Sequence, residues 1–127
     1  MLIEIDLSAE MPIYQQIRDQ VILGIGRGDL KYGENLPSAR QLAEDLGINP
    51  MTVNKAYNTL KREGMIVVDR SVGTKVRENP DNIIESEYMN RLEIILAEGL
   101  AKTEDNLAYK ESVISLLQNL LDGRKNR

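Results

Sequence analysis

Met51, Thr52, Asn54, Lys55 and Asn58 fall on one side of a stretch whose other side is apolar. Val53, Ala56, Tyr57 and Leu60 recur there at helical spacing and predict the buried stripe. The outward set combines side chains that can meet base edges in a DNA major groove. An amide presents a donor beside an acceptor, a hydroxyl can do either, an ammonium donates, and apolar atoms can meet a thymine methyl. The same residues would also suit an ordinary solvated helix face, so the surrounding elements decide between the two readings.

Other chemistries are poorly supplied. The 127 residues include no histidine and no cysteine. That removes the commonest general base, the thiolate nucleophile and the usual zinc ligands. No G-x-x-x-x-G-K-[ST] or G-x-G-x-x-G phosphate loop occurs. The expectation is a protein that is not an enzyme and holds no cofactor or metal. No apolar run approaches the roughly 18 residues of a membrane-spanning helix. The first ten residues carry acids and no basic segment, unlike a signal peptide. A cysteine-free chain fits a reducing cytoplasm. Sixteen Lys and Arg against 20 Asp and Glu give a net charge of −4, a mild argument against a nucleic-acid partner. The charge is unevenly spread, however. Ser38 to Arg77 holds seven bases and four acids, a net of +3.

The elements needed to position the outward set can be read around it. Pro12 is expected in the first turn of a helix with Tyr14, Ile17, Val21 and Ile25 inward, ending at Gly28. Ser38 and Gln41 form an S-x-x-Q capping box for a second helix, which Gly47 stops. Asn49 then caps a third helix with Pro50 at its first position, and Gly64 closes it. Met65–Val68 and Thr74–Val76 read as a hairpin whose tip brings the cations Arg70 and Lys75, and Asn35-Leu36 is short enough to add a third strand. Two helices joined at a glycine turn and followed by a hairpin make a winged helix-turn-helix. The fold class is therefore mostly α (α+β).

In order and spacing these segments strongly resemble the GntR superfamily of bacterial transcriptional regulators. The matching segments are Pro12-Ile13-Tyr14-x-Gln16-Ile17, Leu36-Pro37-Ser38-x-Arg40-x-Leu42-Ala43, Asn49-Pro50-Met51-Thr52-Val53-x-Lys55-Ala56-Tyr57, Leu60-x-x-Glu63-Gly64 and Gly73-Thr74-x-Val76. The opening and the third helix look like the YtrA-type branch. The resemblance implies a homodimer on a roughly palindromic double-stranded DNA operator, usually as a repressor. It assigns DNA contact to Arg40 early in the second helix, base reading to Thr52, Asn54 and Lys55, and wing contacts to Ser71, Gly73, Thr74 and Lys75. With the helix-start and outward residues, the candidate DNA-binding set is Ser38, Arg40, Met51, Thr52, Asn54, Lys55, Asn58, Arg70, Ser71, Gly73, Thr74 and Lys75. Pro50 and Asn54 stand where many relatives have arginine, and Ser71 where many have glycine, so the operator of those relatives does not transfer. The different-class alternative is a winged-helix protein-interaction module without DNA binding, which the net acidity favours.

Residues 1–79 are expected to form the DNA-binding domain and 80–127 a helical hairpin. Ile84, Tyr88, Leu92, Ile95 and Leu96 make one apolar stripe. A break is expected at Gly99–Lys102, with Thr103 capping a last helix and Gly123–Arg127 frayed. That last helix is apolar around more than half its circumference, more than a two-helix hairpin can cover. The expected use is dimerisation through Tyr88, Leu92, Ile95, Val113, Leu116, Leu117, Leu120 and Leu121. The alternative is packing against the first helix of the same chain. A small-molecule inducer between tail and DNA-binding domain, of unidentified chemistry, is compatible with this layout.

Overall fold

The computed structural model describes residues 2–71, 73–79 and 85–125, with Lys125 described by its backbone alone. Ile84 of the expected stripe and the last two residues of the expected frayed end lie outside that set. The element order is α1 (Ile13–Arg27), β1 (Asn35–Leu36), α2 (Ala39–Leu46), α3 (Pro50–Arg62), β2 (Ile66–Asp69), β3 (Gly73–Val76), α4 (Ser86–Lys102) and α5 (Asn106–Lys125). The strands form one antiparallel sheet in the order β1-β3-β2. Helices with this small wing are the mostly α, winged-helix architecture expected.

Local chemistry accounts for the helix ends. Pro12 precedes α1 as its N-cap and does not occupy the first helical position; its carbonyl accepts from the Gln15 and Gln16 N–H groups, both at 3.1 Å. Gly28 ends α1 at φ 82°, a left-handed conformation that costs a glycine little. Ser38 Oγ accepts from the Gln41 N–H at 3.1 Å, but the Gln41 amide turns away to Asp45 at 2.9 Å. Only half of the expected capping box forms: the Gln41 side chain, turned to an acid one turn on, does not accept from the Ser38 N–H. Asn49 Oδ1 caps α3 through the Met51 N–H at 2.9 Å, with Pro50 first in the helix.

The core sits between α1, α2, α3 and the sheet. Ile17, Val21, Val53, Leu60 and Val76 are its fully enclosed side chains, and Leu36, Leu42, Ala43, Ala56, Tyr57 and Ile66 complete its middle. Each large apolar side chain so enclosed contributes about 1.5–3 kcal/mol. Residues 3–6 run along α1 and are held by two of its glutamines. Gln16 bonds the Asp6 backbone in both directions at 2.9 and 3.0 Å, and Gln20 does the same to Glu4 at 3.0 and 2.7 Å.

The tail departs from expectation at three points. α4 does not break at Gly99; it continues to Lys102 and stops at the extended Thr103. Gly99 serves as a gap for the Tyr109 ring of α5, which a Cβ there would overlap. Tyr109 donates its hydroxyl hydrogen to the Leu96 carbonyl at 2.9 Å. The cap of α5 is Asp105, whose carboxylate accepts from the Ala108 N–H at 3.0 Å; Thr103 Oγ1 accepts instead from the Asp105 N–H at 3.2 Å. Gly123 and Arg124 are helical, not frayed. A Cβ on Gly123 would lie 2.9 Å from the Arg27 carbonyl oxygen, and the Arg124 guanidinium donates to the Tyr32 hydroxyl at 2.8 Å. The far end of α5 therefore meets the end of α1, as the alternative reading of the tail expected. Its apolar face is not consumed by that contact: Leu107, Ile114, Leu116 and Leu117 remain exposed.

Candidate nucleic-acid interface

α3 divides sharply into two faces. Val53, Ala56, Tyr57 and Leu60 are buried. Met51 is 75% exposed, Asn54, Lys55 and Asn58 are exposed, and Thr52 is half-buried. The division follows from the sequence spacing, since residues three and four apart share a face. The amides of Asn54 and Asn58 bond to no other side chain or backbone group among the described residues.

Two ties fix α3 to its neighbours. Tyr57 is buried, and its hydroxyl donates to the Pro37 carbonyl at 2.8 Å, just before the Ser38 cap of α2. Burial pushes the Tyr57 phenol well above its ordinary range, so it stays a neutral donor. At the other end, Arg18 of α1 grips the Glu63 carboxylate with Nε at 3.0 Å and with Nη2, and also reaches Asp19 at 2.9 Å. The Arg18 hydrogen bonds hold the Glu63 carboxyl below its ordinary range. Arg18 was not singled out from the sequence. Its partner is 45 residues away, and no local pattern marks the pair.

The remaining candidates divide by environment. Arg40 is exposed and forms no ion pair among the described residues, so the i,i+4 pairing with Glu44 is not made. Ser38 is exposed but spends its hydroxyl as the cap acceptor for Gln41. Asn49 acts as a cap, and Tyr57 as core, as their positions predict. At the wing, Arg70 and Ser71 are exposed, with Ser71 folded onto Asp69 Oδ1 through its N–H and hydroxyl, both at 2.7 Å. Gly73 follows at φ 80°, a turn conformation that disfavours a side chain. Thr74 is half-buried, opposite Leu36 and Val68. Lys75 is also half-buried and is paired with Glu78, whose carboxyl it lowers. Of the two wing cations expected, Arg70 therefore reaches solvent more freely than Lys75.

Lys55 has an unexpected neighbour. Its ammonium lies 4.1 Å from the centroid of the Tyr14 ring on α1. Tyr14 was read as part of the buried stripe of α1, and it does pack against the core while half-exposed. Its ring edges a shallow depression with Met51 and Thr52. Periodicity assigned Tyr14 to the inner side but could not show that the ring extends past the core to the outer face of α3.

Among the described residues, no cluster of acids could hold a metal ion, and no helix is long and apolar enough to cross a membrane.

Residues 13–76 match the family described as bacterial regulatory proteins, gntR family. A relative from Bacillus subtilis (strain 168), the HTH-type transcriptional repressor YtrA, is 45% identical over 78 residues, covering 61% of this chain and 60% of the repressor. The uncharacterized HTH-type transcriptional regulator YhcF of the same organism is 31% identical over 117 residues, covering 91% of this chain and 95% of that protein. Among solved structures, YtrA from Sulfolobus acidocaldarius, a GntR-family transcription factor, superimposes with a TM-score of 0.66 at 44% identity, covering 80% of this chain and all of that one.

Proposed function

Because the chain belongs to the gntR family of bacterial regulatory proteins, in its YtrA-type branch, we propose that it is a DNA-binding transcriptional regulator: a cytoplasmic repressor that grips a palindromic operator as a homodimer. The observation that carries this reading is the division of α3, buried on one face and open on the other, beside an exposed Arg40 with no ion pair among the described residues and an exposed Arg70. In the proposed complex α3 enters the major groove, and Asn54 bonds an adenine edge with its paired donor and acceptor. Thr52, Lys55, Met51 and Asn58 flank it. Arg40 and the wing lie against phosphates and set the register without reading sequence. The net charge of +3 over Ser38–Arg77 supports this docking despite the acidic total.

The second copy is proposed to join through the tail, residues 80–127. Tyr88, Ile95, Leu116, Leu117 and Leu121 are exposed large apolar side chains on α4 and α5, and Leu92, Val113 and Leu120 are half-buried beside them. Such a surface is unusual on a monomer and suits a self-complementary interface. Two heads carried on one symmetric tail would read two half-sites, and an inducer could act by changing their separation.

The test is selection of bound duplexes from a randomised pool, followed by titration of the recovered sequence. The expected result is an inverted repeat with steep salt dependence. With about six phosphate contacts, affinity should fall by roughly a thousandfold between about 50 and 200 mM salt. Recovery of no duplex, or an affinity indifferent to salt, would refute the reading.

A further inference from the structure

Resting on the DNA-binding reading above, we infer that Tyr14 is a positioning residue for recognition: its ring holds the Lys55 ammonium in place on the outer face of α3. The ammonium lies 4.1 Å from the ring centroid, within the range of a cation–π attraction. Tyr14 is anchored in turn, half-buried on the first turn of α1 and packed against the core. A rigid ring on a fixed helix thus steadies the end of a flexible four-carbon stem.

The chemical nature of the partner matters. Lysines on protein surfaces can be steadied by carboxylates, as Lys75 is by Glu78. A carboxylate neutralises the cation and would itself repel a phosphate backbone. Lys55 has no ion-pair partner among the described residues. A neutral ring restrains the ammonium while leaving its full charge available, and Lys55 remains exposed. Ordering a lysine on binding costs side-chain entropy, and restraining it beforehand reduces that loss. Tyr14 therefore contributes to affinity through Lys55, without touching DNA itself.

The experiment compares Tyr14→Phe, Tyr14→Leu, Lys55→Met and the double variant Tyr14→Leu/Lys55→Met on the duplex recovered by the wild-type chain. Thermal unfolding is followed in parallel. Tyr14→Phe keeps the ring and should bind as the wild type does. Tyr14→Leu keeps apolar bulk but no π face, and should bind about two- to fivefold more weakly per half-site. The double variant should bind no worse than Lys55→Met alone, because Tyr14 acts only through Lys55. Three outcomes overturn the inference: Tyr14→Leu binding like wild type, Tyr14→Phe losing as much as Tyr14→Leu (the hydroxyl then contacts DNA directly), or additive losses in the double variant. If Tyr14→Leu fails to fold, the wild-type chain itself decides by NMR. Ring current from Tyr14 should move the Lys55 ε-protons upfield, and ordinary random-coil shifts there would sink the inference. A wild-type chain that retains no duplex would refute the DNA reading first, and the ring-current shift would still report on the contact.

Discussion

The winged-helix head and the helical tail are built from similar proportions of aliphatic residues but spend them differently. Every buried apolar residue among those described lies between Ile3 and Val76. α4 has no buried residue at all, while Tyr88, Ile94, Ile95, Leu100, Leu107 and Leu116 stand exposed across the two tail helices. The head closes its core with its own three helices and sheet. The tail, clipped together at Gly99 and Tyr109 and resting on α1 at Gly123, leaves its apolar face open. A region whose sequence is as apolar as a core but whose chain cannot cover it is a region suited to a second copy.

Leu117→Glu probes that difference most strongly. Leu117 is 58% exposed in the single chain. Were that its working environment, a charge there would change stability by no more than about 0.5 kcal/mol and leave DNA binding alone. If a second copy covers it, the variant sediments as a monomer. Operator affinity then falls by about 10²–10⁴-fold, because the second half-site contact is no longer intramolecular. A dimeric Leu117→Glu chain with full affinity would place the interface elsewhere.

Leu60→Ala is the counterpart in the head. Leu60 is fully buried, and its removal should leave a cavity and destabilise the fold by about 2–5 kcal/mol in a denaturant titration. The association state of chains that remain folded should be unchanged. A loss below about 1 kcal/mol would mean that the head closes round the deletion, and the contrast between the regions would be blunted.

Within the head, a finer contrast separates α2 from α3. Asn54→Ala should weaken operator binding by about 1–3 kcal/mol and relax one base position per half-site, while sparing non-specific duplex. Arg40→Ala should weaken all duplexes alike and flatten the salt slope by about one phosphate contact. Selection from randomised DNA with each variant separates the two. An unchanged consensus with Asn54→Ala would pass base reading to Thr52 or Lys55.

How far the molecule was legible from its sequence follows the same division. Where structure is decided within one turn, the residues announced it. Asn49-Pro50 starts α3, Gly47 and Gly64 follow α2 and α3 in left-handed conformations, and the outward set of α3 emerged from spacing alone. Where structure depends on a distant partner, local signals misled. Gly99 looked like a helix break because glycine is a poor helix former, yet its missing side chain admits the Tyr109 ring. Thr103 and Asp105 are both good caps two residues apart, and composition could not rank them. The Gln16 and Gln20 clamps on the N-terminal segment likewise depend on where the chain returns in space.

The smallest effect tests how firmly the head's helices are tied together. Glu63, at the end of α3, is held by two nitrogens of Arg18 from α1. Its carboxyl is lowered chiefly by that hydrogen-bonded guanidinium, with smaller contributions from Arg62 and from Arg91 of α4, against an opposing push from partial burial. A carboxyl whose pKa is depressed by folding stabilises the native state fully above its unfolded value, near 4.5. That contribution is lost as pH falls through the lower folded value, because protonation removes the charge that Arg18 grips. Both side chains are about a third exposed, so solvent screens the pair, and the stabilisation should be of the order of 0.2–1 kcal/mol. Glu63→Gln should therefore lower the urea midpoint slightly near neutral pH, and the gap to wild type should close as acidification carries the pH below the unfolded value of 4.5. A gap that is constant with pH would mean that Glu63 acts through shape or hydrogen bonding alone. Arg91→Ala should narrow the same gap by less than Arg18→Ala does, and the reverse order would make the tail, not α1, the chief partner of α3 at this end.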